Sequence, residues 1–250
     1  MKTQVSSILA CIALVACASS APQGGQLTVI AGGGFLEPLK AIATAYEART
    51  GTKIVASYGT APQLITMSGQ PFDVIITPDG VIGVDATRGR FAAGTPPAIA
   101  KVDIGVAVKK GATKPDISTT AALKQTLQSA KGVSSLPASA TGAKLDKIYA
   151  KLGVTEAMKT NLRAQTTVPG ITEGVAKGDA QIAIFTLNVL MNDTRLDIVG
   201  PIPADVQDAV VYVGNTSAAT KVPGAAQDFL TYLKSPEAAA IIKAKGLTPG

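Results

Sequence analysis

The chain has 250 residues, of which 46% are apolar and 16% are charged, and this balance excludes an intrinsically disordered protein. It contains no His, and both of its Cys residues, Cys11 and Cys17, lie near the N-terminus, which excludes His-based catalytic triads and most zinc sites from the remainder. The formal net charge of +6 is scattered without a polybasic run, and aromatic residues make up 4%, so we expect no nucleic-acid partner and no cofactor.

The N-terminal segment has the layout of a secretory signal peptide over residues 1–16, with a short basic start and an apolar stretch too short to span a bilayer. Residues 14–17 (LVAC) resemble a bacterial lipobox, so we expect Cys17 to carry a lipid anchor and residues 17–26 to form a polar tether. The alternative is ordinary signal cleavage close to an incidental Cys17. We expect the chain to meet the membrane through a lipid anchor only.

The first part of the remaining chain alternates strand and helix patterns. A β-prone run at residues 27–30 is followed by a helical pattern through Leu39, Ile42 and Tyr46, which Gly51 ends. A second strand is predicted at residues 53–58, a second helix opens at residues 59–62, and residues 72–76 form a buried strand. This order predicts a parallel sheet covered by helices.

The pattern then starts again. Strands are predicted at residues 103–108, 181–185 and 206–213, and helices at 120–130, 145–152, 171–177, 225–233 and 236–245. We therefore predict an α/β fold of two lobes, each a mostly parallel sheet flanked by helices. The lobes would span residues 27–104 with 208–250, and residues 105–207, and crossovers near residues 102–108 and 206–213 would form the hinge.

Three loops place small or hydroxyl residues where a strand leads into a helix. They contain Gly33 and Gly34; Thr60 and Ala61; and Ser139, Thr141 and Gly142. Neither GxGxxG nor a P-loop is present, but the N-terminus of a helix offers unpaired N–H groups and partial positive charge. Each loop taken singly is explained by capping of its own helix. Three such loops in two lobes predict a cleft that binds an anion without charged side chains.

Several segments resemble the periplasmic molybdate-binding proteins of bacterial ABC importers and related two-lobed solute-binding proteins. They are residues 27–39 (LTVIAGGGFLEPL), 46–51 (YEARTG), 57–60 (SYGT), 69–76 (GQPFDVII), 229–238 (FLTYLKSPEA) and 246–249 (GLTP). The resemblance covers nearly the whole chain after the signal segment. It implies the two-lobed periplasmic-binding-protein fold.

The resemblance also implies where a ligand would bind. The family's two serine hydroxyls fall at Gly34 and at Thr60 or Ala61, its backbone donors fall near Thr141 and Gly142 and at Val168, and its tyrosine falls at Thr186. The full set of expected ligand-binding residues is Gly33, Gly34, Thr60, Ala61, Ser139, Thr141, Gly142, Val168 and Thr186. Because two of three side-chain donors differ, we expect another small oxyanion or a small organic anion.

The expected function is therefore capture of a small anion by lobe closure, with delivery to the membrane subunits of an ABC importer. The protein would be a monomer of the periplasm or cell envelope, would hold no metal and would catalyse no reaction. An anion-binding sensor or adhesin-like protein without an importer is the alternative. An envelope hydrolase is the least favoured, because the sequence lacks His and a G-x-S-x-G motif.

Overall fold

The computed structural model describes residues 25–250. The predicted signal peptide, Cys17 with its expected lipid, and residues 18–24 of the tether lie outside the described residues. Gln26, which was assigned to the tether, belongs to the first strand instead, because it pairs with Lys53 of the second strand. Within the described part of the chain, no helix is long and apolar enough to cross a membrane.

Strands and helices alternate through most of the chain. The strands are β1 (Gln26–Gly32), β2 (Lys53–Gly59), β3 (Val74–Pro78), β4 (Ala98–Val102), β5 (Ile104–Lys109), β6 (Val133–Ser135), β7 (Leu162–Ala164), β8 (Ile182–Thr186), β9 (Leu196–Pro201), β10 (Val210–Thr216) and β11 (Thr248–Pro249). The helices are α1 (Leu36–Thr50), α2 (Ala61–Met67), α3 (Thr120–Ser129), α4 (Ala140–Leu152), α5 (Thr155–Asn161), α6 (Val168–Lys177), α7 (Leu187–Met191), α8 (Pro223–Tyr232) and α9 (Pro236–Ala244). A short 3-10 turn, Gly33–Phe35, joins β1 to α1.

The strands form two sheets. The first has the order β11-β4-β10-β3-β1-β2 and the second has the order β7-β6-β8-β5-β9. We call each sheet, with the helices packed on it, the first and the second lobe. The predicted two-lobed α/β fold is confirmed.

The prediction of mostly parallel sheets is wrong in detail, because both sheets are mixed. β1 pairs in parallel with β2 and β3, and β6 with β7 and β8, while the pairs that include β10, β4, β5 or β9 are antiparallel. The parallel pairs β1–β2 and β1–β3 follow from helical crossovers between them. The antiparallel strands belong to the stretches in which the chain leaves one sheet and returns to it.

The two passages between the sheets lie side by side. The chain leaves the first sheet at Asp103, between β4 and β5, and returns through residues 202–209, between β9 and β10. Gln207 ties the passages together, since its Oε1 accepts from the Ile104 N–H at 3.0 Å and its Nε2 donates to the Ile104 carbonyl at 2.9 Å. The predicted strand at residues 206–213 begins only at Val210, because the backbone before it is in turns, in which the Val206 N–H donates to the Pro203 carbonyl and the Gln207 N–H to the Ala204 carbonyl.

Each sheet carries its own core. In the first lobe, α1, α8 and α9 bury Phe35, Leu39, Ile42 and Phe229 against the sheet. In the second lobe, apolar residues cover both faces of the sheet in two clusters. The two lobes therefore have separate hydrophobic cores.

Candidate functional site

The cleft between the lobes is lined by the ends of strands and the starts of helices. Residues from both lobes line its centre: Gly32, Gly33, Gly34, Gly59, Thr60, Ala61, Pro78, Leu136, Ser139, Ala140, Thr141, Val168, Phe185 and Tyr212. The centre encloses about 30 Å³, which is close to the volume of one water molecule in the liquid. The lobes must therefore separate before a larger ligand can enter.

Seven of the nine expected ligand-binding residues meet at this centre. They are Gly33, Gly34, Thr60, Ala61, Ser139, Thr141 and Val168. Gly142 and Thr186 do not line it. The side chains that line the cleft centre carry no formal charge. Any positive electrostatic potential from the lining itself therefore comes from the helix N-termini.

Ser139 and Gly142 bond to the chain itself at the start of α4. The Ser139 hydroxyl accepts from the Gly142 N–H at 2.9 Å and donates to the Leu136 carbonyl at 2.6 Å. Both groups are thus engaged in capping. The N–H groups of Ala140 and Thr141, in the first turn of α4, have no intrahelical acceptor and border the cleft.

Thr60 begins α2 from the first lobe. It forms a capping box with Gln63, whose Oε1 accepts from the Thr60 N–H at 2.8 Å. The Thr60 N–H is therefore engaged, whereas the N–H of Ala61 belongs to the first turn and has no intrahelical acceptor. Pro62 follows at the second helical position, where a missing N–H costs nothing.

Val168 begins α6 opposite the glycine loop. A β-carbon at Gly33 would lie 3.0 Å from Val168 Cγ2, so the two lobes are in close contact there. Thr167 caps α6 by accepting from the Gly170 N–H at 3.2 Å. The bare backbone of Gly33 allows the lobes to approach this closely.

Thr186 lies beside the crossover and not at the cleft centre. It is fully buried and pairs with Ile104 across β5 and β8, and its hydroxyl has no hydrogen-bond partner among residues 25–250. Side chains alternate along a strand, so Phe185 faces the cleft while Thr186 faces the other side of β8. The structure thus places the hydroxyl of Thr186 outside the cleft.

Tyr212 of β10 is a cleft residue that the sequence analysis missed. Its side chain is 3% exposed, and its ring packs on Phe35 with 5.1 Å between centroids. Burial raises the pKa of Tyr212 well above its usual value, so the phenol stays neutral and can donate a proton in a hydrogen bond. The run of glycines after β1 was the available signal, because it leaves room for a large side chain from elsewhere in the chain.

Two larger cavities flank the centre and do carry charges. One encloses about 640 Å³ and includes Asp79, Lys144 and Lys147, and the other encloses about 330 Å³ and includes Glu37, Asp193 and Arg195. Lys144 Nζ lies 2.7 Å from Asp208 Oδ1, and Arg195 holds the pKa of Asp193 below its usual range through a hydrogen bond. These cavities are where a ligand larger than the centre would extend.

A family model for bacterial extracellular solute-binding proteins matches residues 27–248. The chain is 32% identical over 231 residues to an aconitate isomerase from Pseudomonas sp., covering 89% of this chain and 87% of the relative. It is 28% identical over 247 residues to the molybdate-binding protein ModA of Azotobacter vinelandii, covering 93% and 92%. The resemblance to molybdate-binding proteins is confirmed.

The fold also matches solved structures. The periplasmic molybdate-binding protein of Azotobacter vinelandii superposes with a TM-score of 0.73 at 20% identity, covering 90% of this chain and 99% of that one. This likeness supports the two-lobed architecture.

Proposed function

Because the chain belongs to the family of bacterial extracellular solute-binding proteins, we propose that it is the periplasmic binding protein of an ABC importer and that it captures a small anion between its lobes. The two passages at Asp103 and residues 202–209 would act as the hinge, and the closed form would engage the membrane subunits. The observation that carries this proposal is the convergence of helix starts from both lobes on one uncharged cleft.

The donor set favours an anion with several oxygen atoms. Backbone N–H groups of Ala61, Ala140 and Thr141, together with the Thr60 hydroxyl, can donate to such oxygens from opposite sides of the cleft. A donor set without a charged side chain suits a small oxyanion or a carboxylate group.

A thermal-shift series tests the proposal. Molybdate, sulfate, phosphate and trans-aconitate would each be added at increasing concentration and constant ionic strength. We expect one of them to raise the melting temperature progressively, because a ligand that binds only the folded state stabilises it by mass action. A melting temperature that none of these anions changes would contradict the proposal.

The aconitate isomerase relative provides a second candidate function, isomerisation of a tricarboxylate. Such a reaction needs groups that remove and return a proton at carbon. Among the residues lining the centre, Tyr212 is the one titratable side chain, and burial opposes its ionisation. The charged residues of the flanking cavities, including Lys144 and Glu37, are the other acid–base groups near the cleft.

Proton NMR separates the two candidates. The purified protein would be incubated with cis-aconitate, and the ratio of cis to trans isomer would be followed. We expect the ratio to follow the protein-free control. Protein-dependent conversion would favour the isomerase over the importer-binding protein.

The expected lipid anchor is part of the same proposal. If Cys17 is lipidated, the Cys17→Ser variant should leave the membrane fraction or retain its signal segment. Unchanged fractionation and unchanged N-terminal mass would contradict anchoring.

A further inference from the structure

We propose that the Tyr212 hydroxyl is a ligand-binding donor of the cleft and that it occupies the space that a side chain at residue 34 would otherwise fill. The proposal rests on the proposed function of the cleft as an anion site. It adds a specific side chain to that site and names the chemical group that this side chain recognises. That group is an oxygen atom of an oxyanion or carboxylate.

The Tyr212 hydroxyl borders the cleft centre. Tyr212 is 3% exposed, yet its hydroxyl makes no hydrogen bond with any of residues 25–250, and the residue lines the cleft centre. The phenol therefore keeps a free O–H donor at the cleft. A ligand oxygen in the cleft would accept this hydrogen bond.

The glycine loop after β1 leaves space for the Tyr212 ring. A β-carbon at Gly34 would overlap Tyr212 Oη, and a β-carbon at Gly32 would lie 3.2 Å from Tyr212 Cε1. Gly34 and Tyr212 are therefore complementary in shape, because any side chain at residue 34 would occupy the space of the Tyr212 hydroxyl. The Phe35 ring, packed on Tyr212, fixes the direction of the phenol.

The charge of the cleft centre also suits a neutral donor. The phenol is neutral and sits among lining residues that are themselves uncharged, beside helix N-termini that offer N–H groups. A neutral O–H donor adds to these N–H groups without creating a buried cation. The donor is held on β10, directly after the second crossover, so it belongs to the first lobe and lines the cleft together with the starts of α4 and α6 of the second lobe.

The test removes the hydroxyl at residue 212 and then supplies another at residue 34. Tyr212→Phe removes only the hydroxyl. In the double variant Gly34→Ser/Tyr212→Phe, a serine fits, because the nearest remaining ring atom, Cζ, would lie 3.6 Å from its β-carbon, an ordinary contact. Tyr149→Phe is the matched control, since Tyr149 is also buried and its hydroxyl also lacks a partner, but it lies in the core of the second lobe.

Calorimetric titration of the four proteins with molybdate, sulfate, phosphate and trans-aconitate gives the readout, with melting temperatures to verify folding. For the anion that wild type binds, we expect Tyr212→Phe to weaken binding roughly tenfold to a hundredfold, and the double variant to recover most of the loss. Tyr149→Phe should bind as wild type does.

Two outcomes would overturn the proposal, and they differ in what else they remove. If wild type binds an anion and Tyr212→Phe binds it within twofold, or if Tyr149→Phe loses as much affinity, Tyr212 is not a ligand donor while the anion-binding function stands. If wild type binds none of the four anions, the proposed function fails together with the role of Tyr212.

Discussion

Two helix-capping hydroxyls border the cleft, and they differ in what they bond to. Ser139 both accepts and donates within the chain, so its hydroxyl is fully engaged. The Thr60 residue lines the cleft, and its hydroxyl accepts from the Gln63 N–H in the capping box but donates no hydrogen bond among residues 25–250. At the scale of single residues, Thr60 is therefore the capping hydroxyl that is able to reach a ligand.

We predict that Thr60→Ala weakens anion binding roughly tenfold to a hundredfold, since a hydrogen bond to a charged acceptor is lost. Calorimetric titration measures the change. Thr119→Ala is the matched control, because Thr119 caps α3 by accepting from the Ala122 N–H at 3.1 Å and does not line the cleft. It should lose about 0.5–2 kcal/mol of stability without loss of affinity.

Arg49→Ala is a second control. Arg49 lies at the end of α1, is largely exposed, and its NH1 lies 3.5 Å from Glu237 Oε2. It should leave affinity unchanged. Equal affinity of Thr60→Ala and wild type would show that Thr60 only caps its helix.

At the scale of elements, the start of α4 depends on close backbone contact. A β-carbon at Gly142 would overlap the Pro137 carbonyl and lie 2.6 Å from the Leu136 carbonyl. Gly224, in the first turn of α8, has no atom within 4 Å of the same position. The two helical glycines therefore differ in whether a side chain has room.

Gly142→Ala should destabilise the protein by about 1–3 kcal/mol, because the loop before α4 must shift. Gly224→Ala should stabilise it by about 0.4–1 kcal/mol, because alanine restricts the unfolded chain and favours the helix. Urea unfolding curves measure both changes. Similar stability of the two variants would contradict the close packing at Gly142.

Most elements of the first lobe could be predicted from the sequence alone. Hydrophobic periodicity and caps predicted β1, α1, β2, α2 and β3 close to their observed bounds, and Gly51 ends α1 with a φ of 71°. The strand predicted at residues 103–108 corresponds to β5, whereas β4, which precedes it directly and belongs to the other sheet, was not predicted. Local pattern carries no information on which sheet a strand joins.

The cleft residues that start helices could be predicted from local sequence, whereas those placed by long-range packing could not. Gly33, Thr60 and Ser139 were found because each starts a helix, which is a local feature. Tyr212 was missed because its role depends on packing against Gly34, a contact between segments far apart in the chain. Thr186 was placed by resemblance, and strand alternation turns its side chain away from the cleft.

At the scale of the whole molecule, a hydrogen bond joins α7 of the second lobe to the glycine loop of the first lobe. Asn188 of α7 is buried, and its Nδ2 donates to the Gly34 carbonyl at 2.6 Å. Opening of the cleft must break this bond. Asn188 therefore favours the closed form without lining the cleft centre.

Asn188→Ala should weaken apparent anion affinity about twofold to tenfold, because the closed form loses one hydrogen bond relative to the open form. Asn161→Ala is the control, because Asn161 donates to the Leu127 and Gln128 carbonyls at 3.0 and 3.1 Å within the second lobe. It should lower stability and leave affinity unchanged in the same calorimetric titration. Equal loss of affinity in both variants would contradict a role for Asn188 in closure.

Lobe closure itself predicts a change of size. A saturating anion should decrease the radius of gyration in small-angle X-ray scattering, because the cleft centre is too small to admit a ligand unless the lobes first separate. The Asn188→Ala variant without ligand should be at least as extended as wild type. An unchanged radius in both proteins on ligand addition would contradict the hinge.

The most direct measurement is calorimetric titration of the wild-type protein with molybdate, sulfate, phosphate and trans-aconitate at fixed pH and ionic strength, with recovery of the injected anion. We predict saturable binding of one of these anions at one site per chain, with the anion recovered unchanged. Absence of binding heat from all four anions, or recovery of a converted product, would contradict capture of a small anion without chemistry.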